Sequence, residues 1–276
     1  MVRSTPPATG DRIIDVWLET RCEITFDDGL GVPMVLVLRP QSDPHQWVAE
    51  DHYELDPLVP VSEYVDPYGN RGQRLITPTG PFRIATRSRV LTAGAAEAAP
   101  GAPFVLIQRL PPKVLTYLLP SRYCESDRLG AEARRIVGDA QPGYDQVERI
   151  VEWVRSEIAY VPGSSNTLVS ALETRARGAG VCRDLTHLAI SLCRALSIPA
   201  RMVVGYLEDL VPMDLHAWFE AYVGDRWYTF DPTQTHLAGG RVMLALGRDA
   251  ADVPVFNQFG PPLIPRSIDV GVRRVG

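Results

Sequence analysis

The sequence predicts an α+β protein in which an N-terminal β-sandwich precedes a unit built from helices and a β-hairpin. Three observations lead to this fold class. Residues 13–91 alternate between apolar and polar side chains with frequent turn signals, residues 92–103 are rich in Ala, Gly and Pro, and helical spacing of apolar residues begins near Ser126. A chain of 276 residues has room for two such domains.

Short strands separated by turns account for the first domain. From Val16 to Phe26 the even-numbered residues are mostly apolar and the odd-numbered ones mostly polar, which is typical of a strand with one buried face. Cys22 lies on the apolar side, and we interpret it as a small core residue. Further strands are predicted over residues 35–38, 47–55, 61–65 and 82–90.

Helices begin after a predicted linker. The predicted domain boundaries are 1–92 for the β-sandwich, 93–125 for the linker and 126–276 for the second domain. Helices are predicted after an N-cap at Ser126, over Tyr144–Ile158 and Thr167–Arg175, and from Cys182 to a point before Pro199.

Charge and composition exclude several classes of function. The 28 basic and 33 acidic residues give a net charge of −5, so we expect no nucleic-acid binding. The N-terminus, residues 1–7, has no apolar run of signal-peptide length, and no stretch of about 18 apolar residues occurs. These features predict a soluble, cytoplasmic protein with no membrane segment. The four cysteines form no CxxC pair, and we predict neither a metal site nor a cofactor.

A glycine-rich turn before Cys182 is the most informative stretch of the chain. Residues 178–184 read GAGVCRD, and the apolar spacing of a helix follows them. The first N–H groups of a helix have no internal partners, and the helix dipole places partial positive charge there. That position favours a thiolate, and the free N–H groups can bind a developing oxyanion. We therefore predict that Cys182 is a nucleophile.

A predicted hairpin supplies a base and an acid for this cysteine. His216 opens an alternating run, residues 224–225 (GD) form a tight turn, and Asp231 ends the return strand. The open ends of two hairpin strands lie together, so Asp231 is placed to accept a hydrogen bond from one imidazole nitrogen of His216. The other nitrogen is then free to face Cys182, as in the nucleophile, base and orienting acid of a catalytic triad.

Several motifs in this order resemble the bacterial transglutaminase-like superfamily, whose members are often described as cysteine proteases. The motifs are residues 180–184 (GVCRD), 193–201 (CRALSIPAR), 216–218 (HAW), 230–233 (FDPT) and 247–254 (GRDAADVP). The resemblance implies a papain-like core, in which a Cys-bearing helix packs against an antiparallel sheet, and it implies an N-terminal β domain. It also implies the same catalytic residues, Cys182, His216 and Asp231.

Other reactive side chains are weaker candidates. His187 follows Cys182 by five residues, which turns it about 140° away on the helix, so a core role is predicted. Tyr160, Trp218 and His236 are candidates for the substrate cleft, although Trp218 is first of all expected to be a core aromatic of the hairpin. A zinc site built from Cys182, His187, Cys193 and His216 lacks a regular ligand spacing, and Cys182 and Cys193 stand too far apart on one helix to share a metal.

The predicted function is that of a cysteine-dependent amide hydrolase or peptidase that forms a thioester acyl-enzyme on a peptide, protein or small amide substrate. An alternative is a transglutaminase-type acyltransferase, in which a primary amine replaces water. A second alternative is a binding module that keeps the fold without catalysis. The same three residues serve both enzymatic alternatives, so the sequence leaves the choice between them open.

Overall fold

The computed structural model describes residues 15–163 and 168–275. The N-terminal residues 1–7 and the predicted helix start at Thr167 lie outside these ranges. The described chain contains three four-stranded antiparallel sheets, a two-stranded parallel pair and four α-helices. This arrangement confirms the predicted α+β fold class.

Two of the sheets form the N-terminal β-sandwich. The first has the strand order β14-β1-β6-β3, with β1 (Asp15–Phe26), β3 (Gln46–Asp56), β6 (Phe82–Ala93) and β14 (Ser267–Arg274). The second has the order β13-β2-β5-β4, with β2 (Pro33–Leu36), β4 (Val61–Val65), β5 (Arg71–Ile76) and β13 (Phe256–Gln258).

The period-2 pattern of β1 fills the core between these sheets. Leu18, Cys22 and Ile24 are buried on its inner face and share one apolar cluster with Met34 and Leu36 of β2. Each fully buried aliphatic side chain of this kind contributes about 1.5–3 kcal/mol. Cys22 is therefore the core residue that the alternation predicts, and its burial raises the pKa of its thiol to about 12.

The sandwich takes strands from both ends of the described chain. β14 pairs with β1, and β13 pairs with β2. The predicted division assigned residues 126–276 to the second domain, and these two strands depart from it. Sequence periodicity identifies a strand but carries no information about which distant strand it pairs with. The pairing of β13 and β14 with the N-terminal strands could therefore not be predicted. The boundaries near residues 92 and 125 stay a prediction.

The predicted linker also carries packed structure. Two 3₁₀ helices, Ile107–Arg109 and Pro112–Leu118, lie within residues 93–125. Val105, Leu110 and Val114 are buried there in a cluster with Tyr222 of the third sheet. The Pro-rich composition that suggested extended connectors instead supports these short helices, because Pro112 stands at a first helical position.

The third sheet and the helices form the second structural unit. The sheet has the order β11-β10-β9-β12, with β9 (Ala200–Leu207), β10 (His216–Val223), β11 (Arg226–Phe230) and β12 (Arg241–Gly247). The helices are α1 (Gly130–Val137), α2 (Tyr144–Glu157), α3 (Ala171–Arg177) and α4 (Cys182–Ala195). The parallel pair consists of β7 (Ala159–Tyr160) and β8 (Ala179–Gly180).

Helix α4 lies at the centre of this unit, and nearly all of its residues beyond the first turn are buried. Its apolar side chains share a core with α2 and with β10 of the sheet. The amphipathic helix predicted over 144–158 is α2. The helix predicted after Ser126 begins later, at Gly130, because Ser126 opens a separate 3₁₀ turn. None of the helices in the described ranges has the length and apolar character needed to cross a membrane.

Candidate active site

Cys182 is presented by a short parallel strand and a helix start. Helix α3 ends at Gly178 in the left-handed region (φ +66°), β8 follows, and α4 begins at Cys182. Gly180 allows the backbone of β8 to pass close to the first turn of α4, because a Cβ on it would lie 2.8 Å from Cβ of Asp184. The side chain of Asp184 accepts a hydrogen bond from the N–H of Val181 at 3.2 Å. The Cys182 thiol is partly exposed at the positive end of the helix dipole.

The hairpin of β10 and β11 brings His216 and Asp231 together. Its turn residues Gly224 and Asp225 have φ values of +56° and +65°, the left-handed conformations that a tight hairpin turn requires. His216 is the first residue of β10, and Asp231 follows the last residue of β11. Nε2 of His216 lies 2.7 Å from Oδ2 of Asp231, and both side chains are buried.

The other ring nitrogen of His216 faces the cysteine. Among the described residues, Nδ1 has no partner at normal hydrogen-bond geometry. The Cys182 thiol nevertheless lies close enough to act on the ring electrostatically. Burial disfavours the charged imidazolium, but the hydrogen bond and charge of Asp231, together with Cys182, outweigh it and raise the pKa of His216. The His216 ring therefore lies between a carboxylate and a thiol, and its charged form is favoured there.

Asp231 is held from several sides. Its Oδ1 accepts hydrogen bonds from the N–H of Thr233 at 3.0 Å and from the Thr233 hydroxyl at 2.8 Å. Nη2 of Arg241 lies 3.5 Å from Oδ2, and Nη2 of Arg155 donates to the main-chain carbonyl of Asp231 at 3.1 Å. Burial would raise the pKa of this carboxyl, but the hydrogen bond and charge of His216, then Arg241, lower it overall. Asp231 thus stays ionised.

The sequence did not predict Arg155 or Arg241 as site residues. Arg155 lies on α2 and reaches the turn after β11 through its guanidinium. Arg241 is the first residue of β12, just before an apolar run that ends at Leu246. An arginine on a helix or at a strand start is indistinguishable in sequence from a solvent-exposed one, so only the folded arrangement identifies these two residues.

Helix α4 and strand β10 are joined next to the site. The hydroxyl of Thr186 donates to the carbonyl of Ala217 at 3.3 Å, which fixes the helix against the strand that carries His216. Trp218 is only 3% exposed, and its ring stacks near His216 with 6.1 Å between ring centroids. This burial agrees with the interpretation of Trp218 as a core aromatic of the hairpin, and its role in the substrate cleft stays a prediction. The strand turns its ring into the protein, where it packs against the imidazole.

The remaining cleft candidates lie at the surface. Tyr160 is 41% exposed on β7, beside the strand that leads into Cys182. Partial burial, followed by the charges of Cys182, Asp214 and Asp231, raises the pKa of its hydroxyl. A cavity of about 270 Å³ adjoins it and is lined in part by Arg155, Leu185 and Thr233. His236 is exposed on the connection between β11 and β12, and its place at the rim stays a prediction.

His187 is a core residue, as its angular position on the helix predicts. Its ring is fully buried, with Nδ1 hydrogen-bonded to the carbonyl of Val169 at 3.1 Å and Nε2 accepting from the N–H of Ala250 at 3.2 Å. The ring stacks on Tyr123, with 5.3 Å between centroids. Burial lowers the pKa of His187 to about 4. Across residues 15–163 and 168–275, no group of three His, Cys, Asp or Glu side chains could hold a metal ion.

Comparisons with known proteins show which family the chain belongs to. The transglutaminase-like superfamily model matches residues 131–232, a span that contains Cys182, His216 and Asp231. The crystal structure of a "Putative Cysteine Protease" from Cytophaga hutchinsonii is 32% identical, covers 95% of this chain and 92% of its own, and superposes with a TM-score of 0.87. An uncharacterized protein from Mycobacterium leprae is 27% identical over 230 residues, which cover 78% of this chain and 82% of that protein. The chain belongs to the transglutaminase-like superfamily.

Proposed function

We propose that this protein is a cysteine-dependent amide hydrolase that acts on peptide or protein substrates through Cys182, His216 and Asp231. The observation that carries the proposal is the position of His216. One of its ring nitrogens is 2.7 Å from a buried carboxylate, and the other faces a partly exposed thiol at a helix N-terminus. This is the arrangement of nucleophile, base and orienting acid that acyl transfer requires. The similarity to a "Putative Cysteine Protease" supports the same class.

The proposed reaction has two stages. In the first, the Cys182 thiolate attacks the carbonyl carbon, and the C–N bond breaks as the His216 imidazolium gives its proton to the leaving amine. The product is a thioester on Cys182. In the second, neutral His216 takes a proton from water, the hydroxide attacks the thioester, and the acid product leaves with the thiolate restored. The oxyanion of each tetrahedral intermediate is stabilised by N–H groups in the first turn of α4.

Transfer to an amine differs from hydrolysis only in the second stage. The purified protein should therefore be incubated with a glutaminyl peptide and with casein, each with and without an added primary amine. Release of ammonia or of new peptide termini, without incorporation of the amine, is the expected result. Incorporation of the amine in place of hydrolysis would favour the acyltransferase alternative.

The alternative of a non-catalytic binding module is tested by the reactivity of the thiol. Cys124 is fully buried, and burial raises the pKa of its thiol to about 12, so it serves as an internal reference. At pH 6, Cys182 should react with iodoacetamide at least about tenfold faster than Cys124, because a partly exposed thiol at a helix N-terminus is more reactive than a buried one. The sites of alkylation are read by mass spectrometry. Equal rates at the two cysteines would contradict the proposed nucleophile.

A further inference from the structure

A buried arginine beside Asp231 has no part in the reaction described above. Arg241 is the first residue of β12, and its side chain is only 9% exposed. Its Nη2 lies 3.5 Å from Oδ2 of Asp231, the same oxygen that Nε2 of His216 approaches to 2.7 Å. Arg241 and His216 therefore share one carboxylate oxygen.

The guanidinium is anchored but only partly satisfied. Nη1 donates to the carbonyl oxygens of Leu237 at 3.4 Å and Gly239 at 3.3 Å. Nε and Nη2 are buried with no hydrogen-bond partner among the residues that the structure describes. Trp218 lies on one side, with its ring centroid 6.0 Å from the guanidinium carbon. Burying donor groups without partners lowers the stability of the folded protein. The charged Arg241 side chain therefore occupies this position at a cost in stability.

We propose that Arg241 is a positioning residue that acts through Asp231 and limits how tightly His216 holds its proton. The inference rests on the catalytic roles proposed for Cys182, His216 and Asp231. The carboxylate and the guanidinium cancel each other's charge, so a thiolate and an imidazolium can form beside them without leaving a net buried charge. Without Arg241 the remaining three side chains would carry one uncompensated negative charge, which favours the imidazolium and disfavours the thiolate.

The consequence for the reaction concerns proton transfer. An imidazolium that holds its proton too tightly is a poor acid toward a leaving amine, and general acids work best when their pKa is near the working pH. Asp231 and Cys182 raise the pKa of His216, and the positive charge of Arg241 beside the same carboxylate oxygen of Asp231 opposes the effect of that carboxylate. Arg241 thus keeps the orienting acid ionised while it weakens its hold on the imidazolium.

Other titratable or charged groups near the pair lie on other elements. Cys182 of α4 faces His216, while Tyr160 of β7 and Asp214 of the preceding loop lie within electrostatic range of the site. Arg155 of α2 binds the main-chain carbonyl of Asp231 rather than its carboxylate. None of these groups is altered by a substitution at Arg241, so their contributions stay constant in the comparison that follows.

The test separates the charge of Arg241 from its packing. Arg241→Gln keeps amide donors for the carbonyls of Leu237 and Gly239 but removes the charge, whereas Arg241→Lys keeps the charge. The protein has five histidines, so the imidazole signals can be titrated by NMR, with His216 assigned from the signal that His216→Ala loses. We expect Arg241→Gln to raise the His216 midpoint by about one pH unit, a proton held about tenfold more tightly. Arg241→Lys should leave the midpoint within about 0.3 units of the wild-type value.

The alkylation rate gives a second readout that needs no substrate. At pH 6, Cys182 of Arg241→Gln should react with iodoacetamide about threefold more slowly than in the wild type, because the thiolate has lost a favourable charge. Arg201→Gln is the matched control, since Arg201 is a part-buried arginine of the same sheet that pairs with Glu220. It should change neither the His216 midpoint nor the rate.

An unchanged His216 midpoint in Arg241→Gln, or equal shifts in the Gln and Lys variants, would overturn the inference. If Arg241→Gln does not fold, Arg241→Met removes the same charge with an apolar side chain against Trp218 and is read in the same way. Failure of the proposed function would be seen in a different measurement. Cys182→Ala would then retain amide hydrolysis, whatever the His216 midpoint of the Arg241 variants.

Discussion

Two buried histidines beside helix α4 have opposite electrostatic behaviour. His187 lies on the helix itself, and His216 lies on the strand that packs against it. Burial disfavours the charged form of both rings and is the largest influence on each. The pKa of His187 is nevertheless lowered, while that of His216 is raised.

The difference lies in what each ring contacts. His187 binds a main-chain carbonyl with one nitrogen and a main-chain N–H with the other, so the neutral ring satisfies both neighbours. His216 binds the carboxylate of Asp231, and a charged ring is the better partner for a carboxylate. Burial by itself therefore does not decide whether a histidine is neutral or charged. The charged form of a buried histidine is favoured when a fixed carboxylate compensates for its charge.

Removing the nucleophile should have the largest effect. Cys182→Ala is expected to abolish hydrolysis of casein or a glutaminyl peptide, a loss of at least about 10⁴-fold, because no other group can form the thioester. The thiol is partly exposed, so the free energy of unfolding should hardly change. Cys124→Ala is the control: it should keep the activity and lose about 1–2 kcal/mol of stability, since that thiol is fully buried. The reverse pattern would contradict the assignment of Cys182.

Removing the charge of Asp231 should make the electrostatic behaviour of His216 resemble that of His187. Asp231→Asn keeps the shape of the side chain but loses the compensating carboxylate, so we expect the activity to fall by about 10²–10⁴-fold without vanishing. In the same variant the NMR midpoint of His216 should drop below that of the wild type. The control is Asp249→Asn, which lies near His187 and should leave the His216 midpoint unchanged. A midpoint for His216 that is unaffected by Asp231→Asn would refute the explanation given for the two histidines.

The stability of the protein between pH 7 and pH 5 should report His187. Its folded-state pKa of about 4 lies below the usual histidine value of 6.5, so the unfolded chain binds the proton first as the pH falls. Wild-type protein should therefore lose about 2 kcal/mol from this group over that interval. His187→Gln should remove that part of the pH dependence and leave catalysis nearly intact.

Urea denaturation at both pH values measures this change, and His236→Gln, an exposed substitution, is the control. A His187→Gln protein whose stability falls with pH as steeply as that of the wild type would show that folding does not lower the pKa of His187. His216 contributes in the opposite sense: its stabilisation is fully present at low pH and is lost as the pH rises through its raised folded-state pKa.

The smallest effect is expected at the rim of the site. Tyr160→Phe should reduce kcat/KM by about two- to tenfold, because the hydroxyl lies within electrostatic range of Cys182 but is not part of the buried pair. Tyr64→Phe, a similarly exposed tyrosine of the sandwich, should have no effect on activity. Equal activities for Tyr160→Phe and the wild type would exclude the Tyr160 hydroxyl from the catalytic machinery.

Local patterns in the sequence were sufficient for much of the fold and for the candidate triad. The alternation of β1, the helical spacing of α2 and the glycines before Cys182 each reflect interactions between residues close in the chain. The hairpin turn at Gly224 and Asp225 likewise fixes the separation of His216 and Asp231, since a tight turn sets strand register. The type of each element and the approach of these two side chains follow from such local rules.

Contacts between distant parts of the chain were decided only by the tertiary structure. The pairing of β14 with β1, the packing of the supposed linker against Tyr222 and the approach of Arg155 and Arg241 to Asp231 belong to this class. Each depends on how finished elements pack and on which charges that packing buries together. Periodicity and spacing report the face a residue presents on its own element, but they do not specify the partner on another element.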